Sequence, residues 1–381
     1  MINTERMLGS LMDLVRIDSL SRCEGAVAQR LAGELKTLGA DVTIDDAGEK
    51  VGGNTGNVFA RLPGNVAGRP IVLSAHMDTV VPGEGVVPIR EGDRIRSDGR
   101  TILGGDDKSG VAIILEVLRT LTERRIPHAG VEIVFTICEE VGLLGAKHFA
   151  VERLNAKDGV VLDSDDARFL FTNGPAADKM EFTVIGLEAH SGICPERGIS
   201  SIQVASEAIA AMRLGRIDEE TTANLGLIQG GAATNIIPRE TVVRGEARSL
   251  DERKLAAQTT HMRRCFSDAA AKHRVTVDGV VHPTKVVERV ERDYDRLHVP
   301  DDSPVVREVL QAARNVGASV TTRATGGGCD ANVFNTKGLQ IANLGTGMRA
   351  IHTVNEYLLI DEFIRSGRIV LETVRVYAAG A

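Results

Sequence analysis

Aromatic residues are scarce in this sequence, which has no tryptophan, three tyrosines and nine phenylalanines among its 381 residues. That scarcity argues against a nucleic-acid surface built on base stacking and against an aromatic cage for an organic cation. Positive charge is also in the minority, because 45 Lys and Arg stand against 52 Asp and Glu, a net charge of −7. A mildly acidic chain disfavours non-specific binding to nucleic acid or to anionic membranes. We therefore expect neither as a partner.

Long apolar runs and paired cysteines are missing as well. The longest apolar runs, such as residues 110–115, are far shorter than the roughly 20 residues of a membrane helix. Glu5 and Arg6 precede an amphipathic pattern at the N-terminus, which predicts a first helix and not a secretory signal. The five cysteines form no Cys-x-x-Cys pair, and such an odd, scattered set indicates reduced thiols in a cytoplasmic protein.

The first third of the chain alternates between two kinds of pattern. Apolar residues with a helical period cover 4–16 and 24–38, and the run 110–121 is long enough for a helix. Short apolar runs that are typical of strands lie at 58–62, 71–75, 131–137 and 159–162. Strands that alternate with helices predict an α/β domain whose largely parallel or mixed sheet is covered on both faces.

The pattern changes near Ala177. From there the sequence predicts a strand, a helix, two strands, a helix and a strand, at 179–186, 200–212, 222–228, 241–248, 252–272 and 275–281. This β-α-β-β-α-β order is the ferredoxin-like arrangement. The earlier pattern then resumes with a helix at 304–316, a strand at 340–344 and a closing helix at 361–376. We therefore predict an α+β domain at 177–288, inserted into a discontinuous α/β domain made of 1–176 and 289–381.

Side chains that can bind metals recur where the predicted strands end, the place where open α/β sheets bind ligands. The residues at or near these positions are His76, Asp78, Asp106, Glu139, Glu140, Asp163 and His352. Burying a charged carboxylate near a hydrophobic core costs folding free energy unless a cation offsets its charge. Carboxylates combined with imidazoles suit Zn, Co or Mn, and two ions about 3.5–4 Å apart can share one carboxylate. The sequence therefore predicts a metal centre with two divalent ions.

Nine short segments occur in an order that matches a known family. They are SAHMDTV (74–80), GGDDKSG (104–110), CEEVGLLGA (138–146), LD (162–163), AHSG (189–192), TNIIP (234–238), ARS (247–249), GGGCDAN (326–332) and HTVNE (352–356). The chain resembles the co-catalytic metallopeptidases grouped with peptidase T, aminoacylase and carboxypeptidase G. The GGDDKSG and GGGCDAN segments are most similar to the peptidase T-like branch. In this family a catalytic α/β domain carries a small dimerisation, or lid, domain.

The resemblance implies a role for each matching residue. The implied metal ligands are His76, Asp106, Glu140, Asp163 and His352, with Asp106 as the bridge between two ions. The metal expected first is zinc, with Co or Mn as the alternatives. Asp78 corresponds to the carboxylate that orients His76, and Glu139 to the general base that activates the attacking water. In the inserted domain, His190 corresponds to a histidine that contacts the scissile carbonyl in the partner subunit's site, and Asn235 and Arg248 to groups that hold the substrate. Asp107 is a neighbouring carboxylate that could take the bridging place.

These roles together predict a metal-dependent peptidase that removes the N-terminal residue of tripeptides or similar peptides, as a homodimer formed through the lid domain. A second interpretation on the same scaffold is hydrolysis of N-acyl or N-carbamoyl amino acids, or carboxypeptidase action, because fold and metals do not select the substrate. A metal-binding dimer without catalysis is a more distant interpretation, against which an intact Glu139 argues. A third interpretation is a nucleotide-binding protein that uses Gly326–Gly328 as a phosphate loop. The segment lacks the lysine followed by serine or threonine that marks such a loop, which argues against this interpretation.

Overall fold

The computed structural model describes residues 1–379, which divide into two compact units. The first unit comprises residues 1–174 together with the chain from 297 onward, and the second comprises Pro175–Arg296. Within the described residues, no helix combines the length and the apolar character that crossing a membrane requires.

The described residues form ten α-helices. In chain order they are α1 (Thr4–Val15), α2 (Gly25–Thr37), α3 (Ala47–Val51), α4 (Gly105–Arg124), α5 (Leu144–His148), α6 (Ser201–Ala210), α7 (Glu252–Lys272), α8 (Pro304–Asn315), α9 (Asp330–Thr336) and α10 (Ile360–Ala379).

The same residues form twenty strands. Up to the second unit they are β1 (Asp41–Ile44), β2 (Val58–Pro63), β3 (Ile71–His76), β4 (Ile89–Glu91), β5 (Arg94–Arg96), β6 (Gly130–Thr136), β7 (Asp158–Val161) and β8 (Phe169–Gly174). The second unit contains β9 (Ala176–Ile185), β10 (Gly215–Arg216), β11 (Thr221–Gly230), β12 (Glu240–Ser249), β13 (Arg274–Val277), β14 (Val280–Pro283) and β15 (Lys285–Tyr294). The last five are β16 (Leu297–His298), β17 (Thr321–Ala324), β18 (Gln340–Leu344), β19 (Met348–Arg349) and β20 (Tyr357–Leu359).

The first unit is built on a mixed sheet, as the sequence predicts, and this sheet has nine strands in the described residues. Its order is β1-β2-β6-β3-β7-β18-β8-β16, with β17 also paired to β8. The four central strands β6, β3, β7 and β18 are parallel, so their carboxyl ends lie at one edge. Every residue of β3 and β6 is buried, as expected of parallel strands with both faces covered. The sheet therefore delivers several loops to one edge, and these loops carry the predicted ligands.

Helix α4 begins earlier than the predicted start at residue 110, because the GGDDKSG segment forms its first turn. Asp106 and Asp107 in that turn depart from helical backbone angles, and the peptide bond between them is cis. A Cβ on Gly110 would lie 2.5 Å from the carbonyl oxygen of Leu162 and 2.5 Å from a carboxylate oxygen of Asp107. Gly110 therefore lets α4 approach the end of β7 closely.

A small four-stranded sheet, β19-β20-β5-β4, belongs to the same unit. Strands β19 and β20 are antiparallel neighbours, with Met348 opposite Leu358. The loop between them contains His352 and Glu356, so this hairpin presents the last predicted ligand.

The second unit is a five-stranded antiparallel sheet in the order β10-β11-β12-β9-β15, with α6 and α7 packed on one face. Its core includes Phe182 of β9 and Phe266 of α7, whose rings stack with centroids 4.2 Å apart. The order of its four long strands is that of the predicted β-α-β-β-α-β fold.

The predicted strand at 275–281 is wrong. That segment is the separate hairpin β13–β14, which turns at Asp278 and Gly279, both with positive φ. Such a two-residue Asp-Gly turn matches the twist of paired strands. The last strand of the main sheet is instead β15, which pairs with β9 along its length. The predicted boundary at residue 288 falls inside β15, whereas the compact unit continues to Arg296. The functions assigned to the two units stay predictions.

Candidate metal centre

The carboxyl edge of the central strands brings four predicted residues into one cluster. His76 ends β3, Glu139 follows β6, and Asp163 follows β7. The Nε2 atom of His76 lies 3.1 Å from Oδ1 of Asp106 and 3.9 Å from Oδ1 of Asp163. Ligand atoms of His76, Glu139 and Asp163 all lie within 4.8 Å of one another. Three carboxylates therefore lie close to His76.

A second group is built around His352. Its Nε2 atom lies 2.9 Å from Oε1 of Glu140 and 3.2 Å from Oδ2 of Asp106. Asp106 thus turns one carboxylate oxygen to His76 and the other to His352. Two histidine–carboxylate groups that share one aspartate are the arrangement that a bridged pair of ions needs.

The electrostatics of the cluster also favour cations. Burial raises the pKa of Glu139 and of Asp163 well above the usual carboxyl range, and neighbouring carboxylates raise it further. Burial alone would lower the pKa of His76, but its hydrogen bonds with Asp106 and Asp78 outweigh this, so the pKa is raised. So much buried negative charge is costly unless cations compensate it. The donor set of two imidazoles and several carboxylates therefore fits two divalent ions.

Asp78 holds the backbone of the two glutamates. Its Oδ1 atom accepts from the N–H of Glu139 at 2.9 Å, and its Oδ2 atom accepts from the N–H of Glu140 at 3.2 Å. The hydroxyl of Ser21 donates to Oδ2 at 2.7 Å. The acceptor nearest to Nδ1 of His76 is the backbone carbonyl of Asp78, at 2.9 Å, whereas the carboxylate lies at 3.4 Å. The residue therefore orients His76 through its carbonyl more than through its carboxylate.

Asp107 faces the backbone instead of the two histidines. It accepts from the N–H of His76 and from the N–H of Gly110, each at 3.1 Å. Both of its oxygens are engaged in this way, which favours Asp106 as the bridging residue.

Sequence reasoning missed Glu356 as a residue of the site, although it ends the HTVNE segment. This buried carboxylate accepts from the N–H groups of Leu103, Gly104 and Asp106 at 2.8, 2.9 and 3.1 Å. It therefore fixes the loop that carries Asp106. The available sequence signal was a glutamate four residues after His352. Its hydrogen-bond partners could not be predicted from it, because they lie some 250 residues away in the sequence.

The two cysteines beside the cluster are buried. Cys329 is 4% exposed, and burial raises the pKa of its thiol well above the usual range. Burial likewise raises the pKa of the Cys138 thiol to about 12. Their burial is that of packing residues.

The remaining predicted residues lie in the second unit. His190 and Asn235 are neighbours there, because His190 forms a β-bridge with Ile236 and the N–H of Ser191 donates to the carbonyl of Asn235 at 3.0 Å. Both are exposed. Arg248 is paired with Glu246 by two hydrogen bonds of 2.9 and 3.0 Å.

Arg248 does not join His190 and Asn235 within this unit. It lies opposite Ala177 at the start of β9, whereas Glu240 lies opposite Ile185 at the end of that strand. Eight residues of strand correspond to roughly 27 Å. A single copy of the second unit therefore presents these predicted groups at two opposite ends of the sheet.

The shared position of Asp106 predicts how metal binding responds to substitution. Asp106→Asn should lower the affinity for both ions by at least about 100-fold, because each ion loses the charge of a ligand. Asp163→Asn should lower the affinity for one ion more than for the other. Elemental mass spectrometry after dialysis against buffered metal measures this. The exposed Asp301→Asn is the control and should keep the wild-type content. Retention of both ions by Asp106→Asn would contradict the bridge.

Comparison with known proteins agrees with this arrangement. The sequence profile of the peptidase family M20/M25/M40 matches residues 72–376. The protein YqjE of Bacillus subtilis (strain 168) is 38% identical over 377 residues, which cover 98% of this chain and 99% of the relative.

Two solved structures have the same fold along nearly their whole length. The aminopeptidase PepT from Bacillus cereus ATCC 10987 is 37% identical, with a TM-score of 0.86 and 99% of each chain covered. A tripeptidase from Staphylococcus aureus subsp. aureus Mu50 is 36% identical, with a TM-score of 0.92 and 100% of each chain covered. The predicted resemblance to the peptidase T-like branch is thereby confirmed, and with most of its length matched by the profile the chain belongs to the peptidase family M20/M25/M40.

Proposed function

We propose that this protein is a metal-dependent aminopeptidase that removes the N-terminal residue of tripeptides and similar small peptides. The observation that carries the proposal is the pair of histidine–carboxylate groups that share Asp106, with Glu139 beside His76. The similarity to an aminopeptidase and to a tripeptidase, at 37% and 36% identity, supports this choice of substrate.

The reaction needs a nucleophile, a base and a donor to the leaving group. Two divalent ions, for which we propose zinc, would supply Lewis acidity and lower the pKa of the attacking water. His76, Asp106 and Asp163 would hold one ion, and Asp106, Glu140 and His352 the other. Glu139 is 7% exposed and close to His76 and Asp163. We assign to it the removal of a proton from the water and its delivery to the leaving amine.

The substrate can be tested with a panel of di- and tripeptides, their N-acetylated and C-amidated forms, and N-acyl and N-carbamoyl amino acids. We expect cleavage of free tripeptides at the first bond and loss of cleavage on N-acetylation, but not on C-amidation. Mass spectrometry identifies the products. Faster turnover of the N-acyl or N-carbamoyl amino acids, or release of the C-terminal residue, would contradict the proposal.

The role of Glu139 makes a separate prediction. Glu139→Gln keeps the size of the side chain but cannot take a proton, so kcat should fall at least about 10²-fold. Its metal content should stay near wild type, because the predicted ligands are unchanged. The exposed Glu84→Gln in the same unit serves as the control and should keep wild-type kcat. Normal turnover by metal-loaded Glu139→Gln would refute the assignment.

We further propose that the protein is a homodimer formed through the second unit. In the described residues, β10 covers only Thr222 and Ala223 of β11, so the rest of β11 is an open edge. Ile228 of this edge lies opposite the core residue Val243 and is nevertheless 53% exposed. Ile202 is 40% exposed beside Gly231, at the end of the same strand. An open edge flanked by apolar side chains suits two-fold pairing with a second copy.

Substitution at this edge tests the dimer. Ile228→Asp should raise the dimer dissociation constant at least about 10-fold, because a charge replaces buried apolar area. Sedimentation velocity over a dilution series measures the constant. Val280→Asp on the β13–β14 hairpin, where the side chain is 58% exposed, should leave it unchanged. A monomeric wild type, or the same effect from both variants, would contradict the proposed interface.

In such a dimer, His190 of one subunit would act at the active site of the other. A complementation experiment tests this. His190→Ala and Glu139→Gln are each expected to be inactive. If His190 acts in the other subunit, an equimolar, randomly reassorted mixture should recover about a quarter of wild-type activity, because about half of the dimers are mixed and one of the two sites in each keeps both residues. If it acts in its own chain, mixing recovers nothing.

We also propose a cytoplasmic location, which the five free cysteines support.

A further inference from the structure

Glu24 is a buried carboxylate that none of the roles above includes. It lies at the N-cap position of α2 and is 0% exposed. An N-cap side chain ordinarily accepts from the first N–H groups of its own helix, but Glu24 makes no such bond. The side chain of Asn54 takes that place and accepts from the N–H of Gly25 at 2.9 Å. The carboxylate of Glu24 is therefore free to act elsewhere.

Its partner is the segment that carries the predicted base. Oε1 of Glu24 accepts from the N–H of Cys138 at 3.0 Å and from the thiol of Cys138 at 3.4 Å. The same oxygen accepts from the N–H of Arg22 at 3.0 Å. Arg22 and Cys138 have φ angles of 75° and 52°, an uncommon conformation for residues with a Cβ. One carboxylate oxygen thus holds two backbone segments, each at a residue in the left-handed region.

Together with Asp78, Glu24 fixes three consecutive N–H groups. The N–H of Cys138 binds Glu24, and those of Glu139 and Glu140 bind Asp78 at 2.9 and 3.2 Å. The turn at Cys138 determines the direction in which the next two side chains leave the backbone. In the β-strand before it, successive side chains point to opposite faces, so the turn is what redirects the chain as it leaves β6.

We propose that Glu24 is a positioning residue, which holds the left-handed turn at Cys138 and thereby aims Glu139 and Glu140 at the metal centre. It acts through the backbone and does not touch substrate. This inference rests on the proposed function in one respect, because it takes Glu139 as the base. The hydrogen bonds on which it stands do not depend on that assignment.

Three variants separate positioning from simple support of α2. Glu24→Asp keeps the charge but is one methylene shorter, so it cannot reach both N–H groups, and Glu24→Ala removes the acceptor. Both should lower kcat about 10- to 100-fold with KM changed less than about 3-fold, since a shift of about 1 Å in a catalytic group has effects of this size. Glu24→Gln retains an acceptor oxygen at the same reach and should recover most of kcat.

Asn54→Ala is the matched control. It removes the acceptor at the start of α2, beside Glu24, without affecting any bond to Cys138. We expect a lower Tm for this variant and unchanged kcat. An equal fall in kcat for Asn54→Ala and Glu24→Asp would reduce Glu24 to a support of α2 and overturn the proposal.

Amide hydrogen exchange of the metal-free protein gives a readout that is independent of activity. Fragments that cover residues 138–142 should exchange at least about 10-fold faster in Glu24→Asp than in wild type, because the Cys138 N–H loses its acceptor. Asn54→Ala should leave these fragments unchanged. If Glu24→Asp folds and keeps both wild-type exchange and wild-type kcat, the proposal is wrong. If the wild type cleaves no peptide, the proposed function fails, while the exchange result still decides whether Glu24 holds the turn.

Discussion

The repulsion among buried carboxylates at one edge of the sheet is the constraint on which the rest of this structure depends. Asp106 and Glu139 are 5% and 7% exposed and the side chain of Asp163 is 13% exposed, a burial that is unfavourable for several like charges. The chain resolves this in two ways. Carboxylates that face the histidines form a donor set for cations, and carboxylates that face away accept backbone N–H groups.

The second solution explains how irregular loops hold the site. Glu356 accepts three N–H groups from the loop before Asp106, and Asp78 accepts two from the loop after β6. Charge-assisted bonds of this kind are stronger than neutral ones. His352 itself has a φ of 63°, a strained conformation for a residue with a Cβ, which the surrounding hairpin must maintain. The acceptors are therefore as much a part of the site's geometry as the ligands.

The sequence predicted the parts of the site that depend on local pattern. Strand ends could be located from apolar runs, and parallel strands bring their carboxyl ends together, so the sequence could place His76 and Asp163 at one edge of the sheet. The bonds of Glu24 and Glu356 could not be predicted, because each joins segments that are distant in the chain and leaves no periodic signal. The hairpin at 274–283 was missed although Asp278-Gly279 signalled it, because its flanking residues resemble a single strand.

The central claim is that Asp106 joins two ions held by separate histidines. A crystal of the metal-loaded protein, measured at the absorption edge of the bound metal, tests it most directly. The account predicts two anomalous peaks about 3.5–4 Å apart, one beside His76 and Asp163, the other beside Glu140 and His352, with an oxygen of Asp106 bound to each. A single peak, or two peaks with Asp106 bound to neither, would contradict it.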